Sequence, residues 1–153
     1  MTVSDPIRWK FCAFDTLSLL ELHDLLQLRA EVFVVEQQCV FQDLDGTDVQ
    51  AMHLLGVRDH QLVAYARCFP AGVKCTQASL GRVVTRQSVR GTGLGHALID
   101  KAIDSMGTLW SPQTIWIGAQ AHLKNFYSGH GFVDVGSPYL EDGIDHLEML
   151  WRA

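Results

Sequence analysis

No apolar run in this chain approaches the roughly 20 residues needed to cross a membrane. The opening segment, MTVSDPIRWKF, has no apolar core of the kind a secretory signal carries. The four cysteines, Cys12, Cys39, Cys68 and Cys75, form no C-x-x-C pair, which argues against a redox couple and against thiolate-held metal. Without a secretory context a disulfide framework is not expected either, and Cys12 and Cys68, set in apolar runs, read as small buried hydrophobes. There is no excess of basic charge: the formal net charge is −5, the wrong sign for a chain that neutralises nucleic-acid phosphates. An anionic ligand is still allowed, because backbone N–H groups bind phosphate without any net positive charge. No internal repeat, low-complexity tract or long linker divides the sequence. The expectation is one cytoplasmic domain over residues 1–153, with no metal and no membrane or nucleic-acid partner.

At 153 residues such a domain buries about two-thirds of its unfolded surface. Residues 7–14 read as a first strand. Ser18 and Glu21 have the capping-box spacing, and Leu19, Leu22, Leu25, Leu26 and Arg29 follow at helical spacing, predicting a helix over 18–30. Residues 32–36 either extend it or begin an irregular segment. The stretch 37–49 is rich in turn formers and acids (Asp43, Asp45, Gly46, Asp48). It resembles the start of a calcium loop but lacks the closing glutamate, which leaves a solvated turn. Strands are expected at 53–58 and 61–69, joined as a hairpin by Asp59-His60, and at 78–85. A second helix over 93–106 carries Leu94, Leu98, Ala102 and Met106 on one side, widened by Ile99 and Ile103. A strand at 114–119, a short helix at 122–129 and strands at 132–135 and 145–151 complete a mixed α/β (α+β) sheet domain.

The most informative segment is LGRVVTRQSVRGTGLGHAL, residues 80–98. It reads as a strand, a polar loop, then Arg90-Gly91-Thr92-Gly93-Leu94-Gly95 opening a helix. Glycines allow close backbone approach, and the first N–H groups of a helix have no intrahelical partner, so the pattern suits a pyrophosphate. A P-loop would need Gly-Lys-Ser/Thr where this chain has Gly95-His96-Ala97. A dinucleotide fold would need G-x-G-x-x-G directly after the first strand. A purely structural turn is the remaining alternative for the segment taken alone.

Arg90, Gly93 and Gly95 match the Arg/Gln-x-x-Gly-x-Gly/Ala pattern, and Tyr127-Ser128-Gly129-His130-Gly131-Phe132 matches Tyr-x-x-x-Gly-Phe further on. With both motifs the chain resembles the GNAT N-acetyltransferase superfamily. LLQLRAEVFVVEQQC, DLDGTD, AQAHLKNFYSGHGF and YLEDGIDH further resemble its ElaA-like branch. The resemblance implies one GNAT-type domain with a mixed, mostly antiparallel twisted sheet of about six or seven strands and splayed central strands. It implies acetyl-CoA as cosubstrate and a small-molecule or peptide amine as acceptor. It leaves a homodimer open, although no stripe in the sequence marks an interface.

The resemblance also assigns residues. Val83, Val84 and Thr85 would diverge from the strand at 117–119 and hold the pantetheine arm, with an N–H near Val84 facing the thioester oxygen. The N–H groups of Gly91, Thr92, Gly93, Leu94, Gly95 and His96 would hold the pyrophosphate, with Arg90 adding charge nearby. Gln120 stands where many relatives carry an asparagine on the cofactor arm. Tyr127 would be the general acid that protonates the departing thiolate. Residues 80–85 lack the glutamate that several relatives use as base. Glu36, His53, Glu141 and His146 are the remaining candidates, Glu36 and His53 each having a structural reading beside the catalytic one. Glu36, Glu141 and Asp142 are candidates for binding the acceptor, and the acids Asp43, Asp45, Asp48, Glu141, Asp142 and Asp145 hint at a cationic amine. Two rival functions stay open: a non-catalytic acyl-CoA-binding sensor, and an acyl-homoserine-lactone-type synthase consuming S-adenosylmethionine.

Overall fold

The computed structural model describes residues 6–136 and 138–153. Eight strands form one sheet, one more than the upper expectation: β1 (Arg8–Ala13), β2 (Met52–Arg58), β3 (Gln61–Phe69), β4 (Ala78–Thr85), β5 (Ile115–Gln120), β6 (Phe132–Asp134), β7 (Tyr139–Glu141) and β8 (Ile144–Trp151). Their order is β1-β2-β3-β4-β5-β8-β6, with β7 paired to β8 beside that path. Every pairing is antiparallel except β4 with β5. A parallel pair needs a crossover connection, and the helix α2 (Leu94–Trp110) supplies it.

Helix α1 (Leu19–Arg29) starts at Ser18, whose side chain accepts from the Glu21 N–H while the Glu21 carboxylate accepts from the Ser18 N–H. The chain then continues as a π-helical segment over Ala30–Glu36, which resolves the open reading of 32–36 in favour of extension with a wider turn. Such turns recur at functional sites, and this one leads straight into the cleft described below. The short α3 (Lys124–Ser128) follows a 3-10 turn over Ala121–Leu123.

The sheet has a core on each face. On one, Leu98, Ile99, Ala102 and Met106 of α2 pack with Ala66, Cys68, Ile117 and Met149 of the strands. On the other, Leu25 and Leu28 of α1 and Val32 pack against Cys12, Leu55, Tyr65 and Val84. Central strand β3 is covered on both sides and is buried from Leu62 to Phe69. Among the described residues, no helix is long and apolar enough to cross a membrane.

Glu141 ends β7, and Asp142 lies in the tight turn that joins β7 to β8. Asp142 (φ 51°) and Gly143 (φ 78°) form a two-residue turn with both residues left-handed, the geometry an Asp-Gly pair favours between antiparallel strands. Asp59 and His60, at φ 52° and 63°, close the β2–β3 hairpin in the same way.

Candidate active site

The pairing of β4 with β5 is limited to Ala78 with Ile115 and Ser79 with Trp116. Beyond that point the strands part. On its other side, β4 slips register against β3, so that Ala66 faces both Arg82 and Val83 between the Tyr65–Val84 and Arg67–Gly81 pairs. This bulge, with Arg82 at φ 48°, bends β4 away from β5. The gap opens into a cleft of about 940 Å³.

Val83, Val84 and Thr85 line that cleft from β4, and Gly118 and Gln120 line it from β5. Gly118 lets side chains approach closely: a Cβ at this position would lie 2.5 Å from the Tyr139 hydroxyl and 3.1 Å from Trp116, so these rings would have to shift. Gln120 donates to the Gln37 side chain at 3.4 Å, tying β5 to the end of the π-helical segment.

Gly93 sits at φ +83° immediately before α2. The first helical bond runs from the Ala97 N–H to the Gly93 carbonyl at 3.2 Å. The N–H groups of Leu94, Gly95 and His96 therefore precede the helical ladder, which creates a partial positive charge beside the cleft. Arg90 and Gly95 line the cleft; Gly91, Thr92 and Gly93 are exposed, whereas the Leu94 side chain belongs to the core. The His96 ring turns to α3, meeting Phe126 at a tilt and lying 2.8 Å from His130, which in turn donates to Asp100. Arg90 donates to the Thr85 carbonyl at 3.0 Å and to Glu36 at 2.7 Å. Glu36 thus lines the cleft in its salt-bridged form, fastened to the residue expected near the pyrophosphate.

Tyr127 lines the cleft from α3 and is 7% exposed, and burial pushes its phenol up to about 12. A phenol in that range keeps its proton at neutral pH and can donate it.

The base candidates are brought to different places. His53 lies fully buried on β2 and does not line the cleft, which corrects its place among candidate bases. Its Nε2–H donates to the Asp48 carbonyl at 2.8 Å, so Nδ1 accepts from the Tyr65 hydroxyl at 2.6 Å. Burial, aided by Arg29 and Arg67, lowers its pKa against the opposing pull of Asp48. His146 does line the cleft. Its Nδ1–H donates to the Ile144 carbonyl at 2.8 Å, which leaves the Nε2 lone pair free in the neutral ring. Nε2 stands 3.4 Å from the Glu141 carboxylate, and the ring stacks on Tyr139. Asp142 also lines the cleft, its carbonyl accepting from the Cys39 thiol at 3.2 Å.

The 37–49 stretch is not the solvated turn expected. Asp43 and Asp48 are buried and bind Arg29 at 2.9 and 2.8 Å. Asp48 also binds Arg67 at 2.9 Å, and Asp43 binds Arg82 at 2.8 Å. Asp45 takes Arg67 at 2.8 Å and Lys74 at 3.2 Å. Burial works to raise the Asp45 carboxyl, but hydrogen bonds from Arg67 and Thr47 outweigh it and hold the group far below the usual range. The charges of these three acids are spent on arginine and lysine, so they do not recommend a cationic acceptor. Sequence reading missed Arg67, Lys74 and Arg82, all of which line the cleft. A lone Arg67 inside the apolar run of β3, and Arg29 on the apolar stripe of α1, were the available signals of buried ion pairs.

The comparisons with known proteins agree with this geometry. A family model described as an acetyltransferase (GNAT) domain matches residues 21–153. The protein ElaA of Escherichia coli is 41% identical over 145 residues, covering 94% of this chain and 95% of ElaA. The ElaA crystal structure superposes with a TM-score of 0.90 over 96% of this chain and 100% of that one. An acyl-CoA N-acyltransferase from Pseudomonas aeruginosa matches with a TM-score of 0.89 at 43% identity, over 95% of this chain and 99% of that one. An aminoglycoside 6'-N-acetyltransferase complexed with coenzyme A shares the fold alone, at 16% identity and a TM-score of 0.69, over 92% of this chain and 95% of that one. Diverging strands, a glycine-opened helix and a buried tyrosine thus occur in a chain that belongs to the GNAT acetyltransferase family.

Proposed function

We propose that the protein is an acetyl-CoA-dependent N-acyltransferase that passes the acyl group directly to a small-molecule or peptide amine in a ternary complex. The observation that carries this reading is the parting of β4 from β5 beside Tyr127. The residues present fit the cosubstrate. Backbone along Val83–Thr85 faces the gap, the N–H groups at the start of α2 suit a pyrophosphate, and Gln120 reaches across from β5. Coenzyme A in the complex of the aminoglycoside acetyltransferase supports the same ligand for the shared fold.

Acetyl-CoA would supply an activated thioester. The chain's own groups then divide the work. An N–H near Val84 stabilises negative charge developing on the acyl oxygen. His146 Nε2 takes the proton of the incoming ammonium, and the Glu141 carboxylate steadies the imidazolium that results. Tyr127 keeps its proton until the C–S bond breaks and donates it to the departing thiolate. It recovers a proton from the nitrogen, which sheds its second one as the tetrahedral adduct collapses to the amide.

A non-catalytic sensor of acyl-CoA has no use for a proton donor in the gap. Thiol release from acetyl-CoA across a panel of amines tests the proposal. Amine-dependent release that is lost in Tyr127→Phe, with coenzyme A binding kept, supports it. Binding without release by any amine would establish the sensor instead, and release of methylthioadenosine from S-adenosylmethionine would establish the synthase.

A further inference from the structure

The cleft lining holds two chemically opposite sets of side chains. One is Glu141, Asp142 and His146. The other is Arg67, Lys74 and Arg82 with a single carboxylate, Asp45, and the rings of Phe41 and Phe69. Around this second set, the ion network holds four cations, Arg29, Arg67, Lys74 and Arg82, against three carboxylates, Asp43, Asp45 and Asp48. One positive charge is left over, in a chain whose net charge is −5. His53, which faces Asp48 from β2, is neutral and does not alter the balance.

Arg67 has an unused donor. Its Nη1 and Nη2 are occupied by Asp45 and Asp48, but among the described residues its buried Nε–H has no hydrogen-bond partner. It is the single buried side-chain polar atom in that condition among the described residues. A buried donor without a partner is costly. The rings hold the cations in place: the Arg67 guanidinium lies 5.0 Å over Phe69, Lys74 lies 5.2 Å from the same ring, and Arg82 lies 5.7 Å over Phe41. The guanidinium planes are thereby fixed before any ligand arrives.

Resting on the acyltransferase reading above, we propose that the acceptor is an amine that also carries a carboxylate, an amino-acid-like molecule. Its carboxylate docks at the Arg67–Lys74–Arg82 wall and its amine lies toward His146 and Glu141. Asp45, 28% exposed in its side chain and shared by Arg67 and Lys74, is the group an incoming carboxylate displaces in part. A polyamine would meet an uncompensated positive wall there.

The test compares the common L-amino acids with their α-carboxamides and with spermidine. Two readouts are taken: calorimetric binding in saturating coenzyme A, and thiol release from acetyl-CoA. The expected result is an amino acid that binds at least about tenfold more tightly than its amide, the worth of one charge-assisted hydrogen bond. Lys74→Met, on an exposed loop, is expected to shrink that ratio, and Arg67→Lys, which keeps the charge and removes the Nε–H, to shrink it further. Carboxylate preference in binding with no thiol release would keep the anionic subsite and overturn the transferase reading. Thiol release with the amide or spermidine equal or better overturns the carboxylate proposal and leaves the transferase standing. Neither binding nor release from any compound overturns both.

Discussion

The proposed proton chemistry falls on Tyr127 and His146, and each has a distinct signature. Tyr127→Phe removes only a hydroxyl, so the fold and coenzyme A affinity are expected to persist while kcat falls about 100-fold or more. Steady-state thiol release with parallel calorimetry checks this; unchanged kcat would remove Tyr127 from the mechanism. His146→Gln is expected to lower kcat/KM for the amine while coenzyme A binding persists. Tyr127's place in the cleft was legible in the sequence because it stands in the Tyr-x-x-x-Gly-Phe motif. His146 was not separable from His53, because both stand near the start of an expected strand and only the sheet decides which ring faces the cleft. The buried partners of His53, Tyr65 and the Asp48 carbonyl, come from distant segments that no local pattern connects.

Elements set the cleft. Gly93 lies at φ +83°, a conformation that costs an L-residue about 1 kcal/mol or more. Gly93→Ala is therefore expected to destabilise the protein by about that amount and to weaken acetyl-CoA binding by disturbing the start of α2. Thermal unfolding and calorimetry separate the two effects; a stable variant with unchanged affinity would show that this turn does not position the ligand. Most elements were readable from pattern: β3 and β4 fall on the expected 61–69 and 78–85, and the capping box placed the start of α1. The exception, β7, is three residues long and too short to show periodicity, although the Asp142-Gly143 pair was a hairpin signal. The bulge at Arg82 and the π-helical turn after Arg29 were not readable, because tertiary packing imposes both.

Across the whole molecule, the Arg29 network joins α1, the 37–49 stretch and the sheet. Arg29→Met is expected to cost about 3 kcal/mol, the low end for a broken buried pair, since Asp43 and Asp48 each retain another arginine. Urea unfolding measures it. The network also fixes how stability responds to pH. His53 has a lowered pKa, so the unfolded chain gains a proton first as pH falls below about 6.5. Asp45 and Asp48 are also lowered, and their contribution, complete above about pH 4, is lost as pH falls further. Both effects have the same sign: the urea midpoint is expected to drop from about pH 7.5 to about pH 5, and again at lower pH, with His53→Gln flattening the first step. A midpoint that rises on acidification would contradict the assignment. The central claim, that the parted strands and the glycine-opened helix form an acetyl-CoA site, is tested most directly by calorimetric titration with acetyl-CoA, using NAD as comparison. Roughly micromolar binding of one acetyl-CoA per chain is expected, and none of NAD. Folded protein that takes up no acetyl-CoA would contradict it, and the glycine loop would then be a structural turn only.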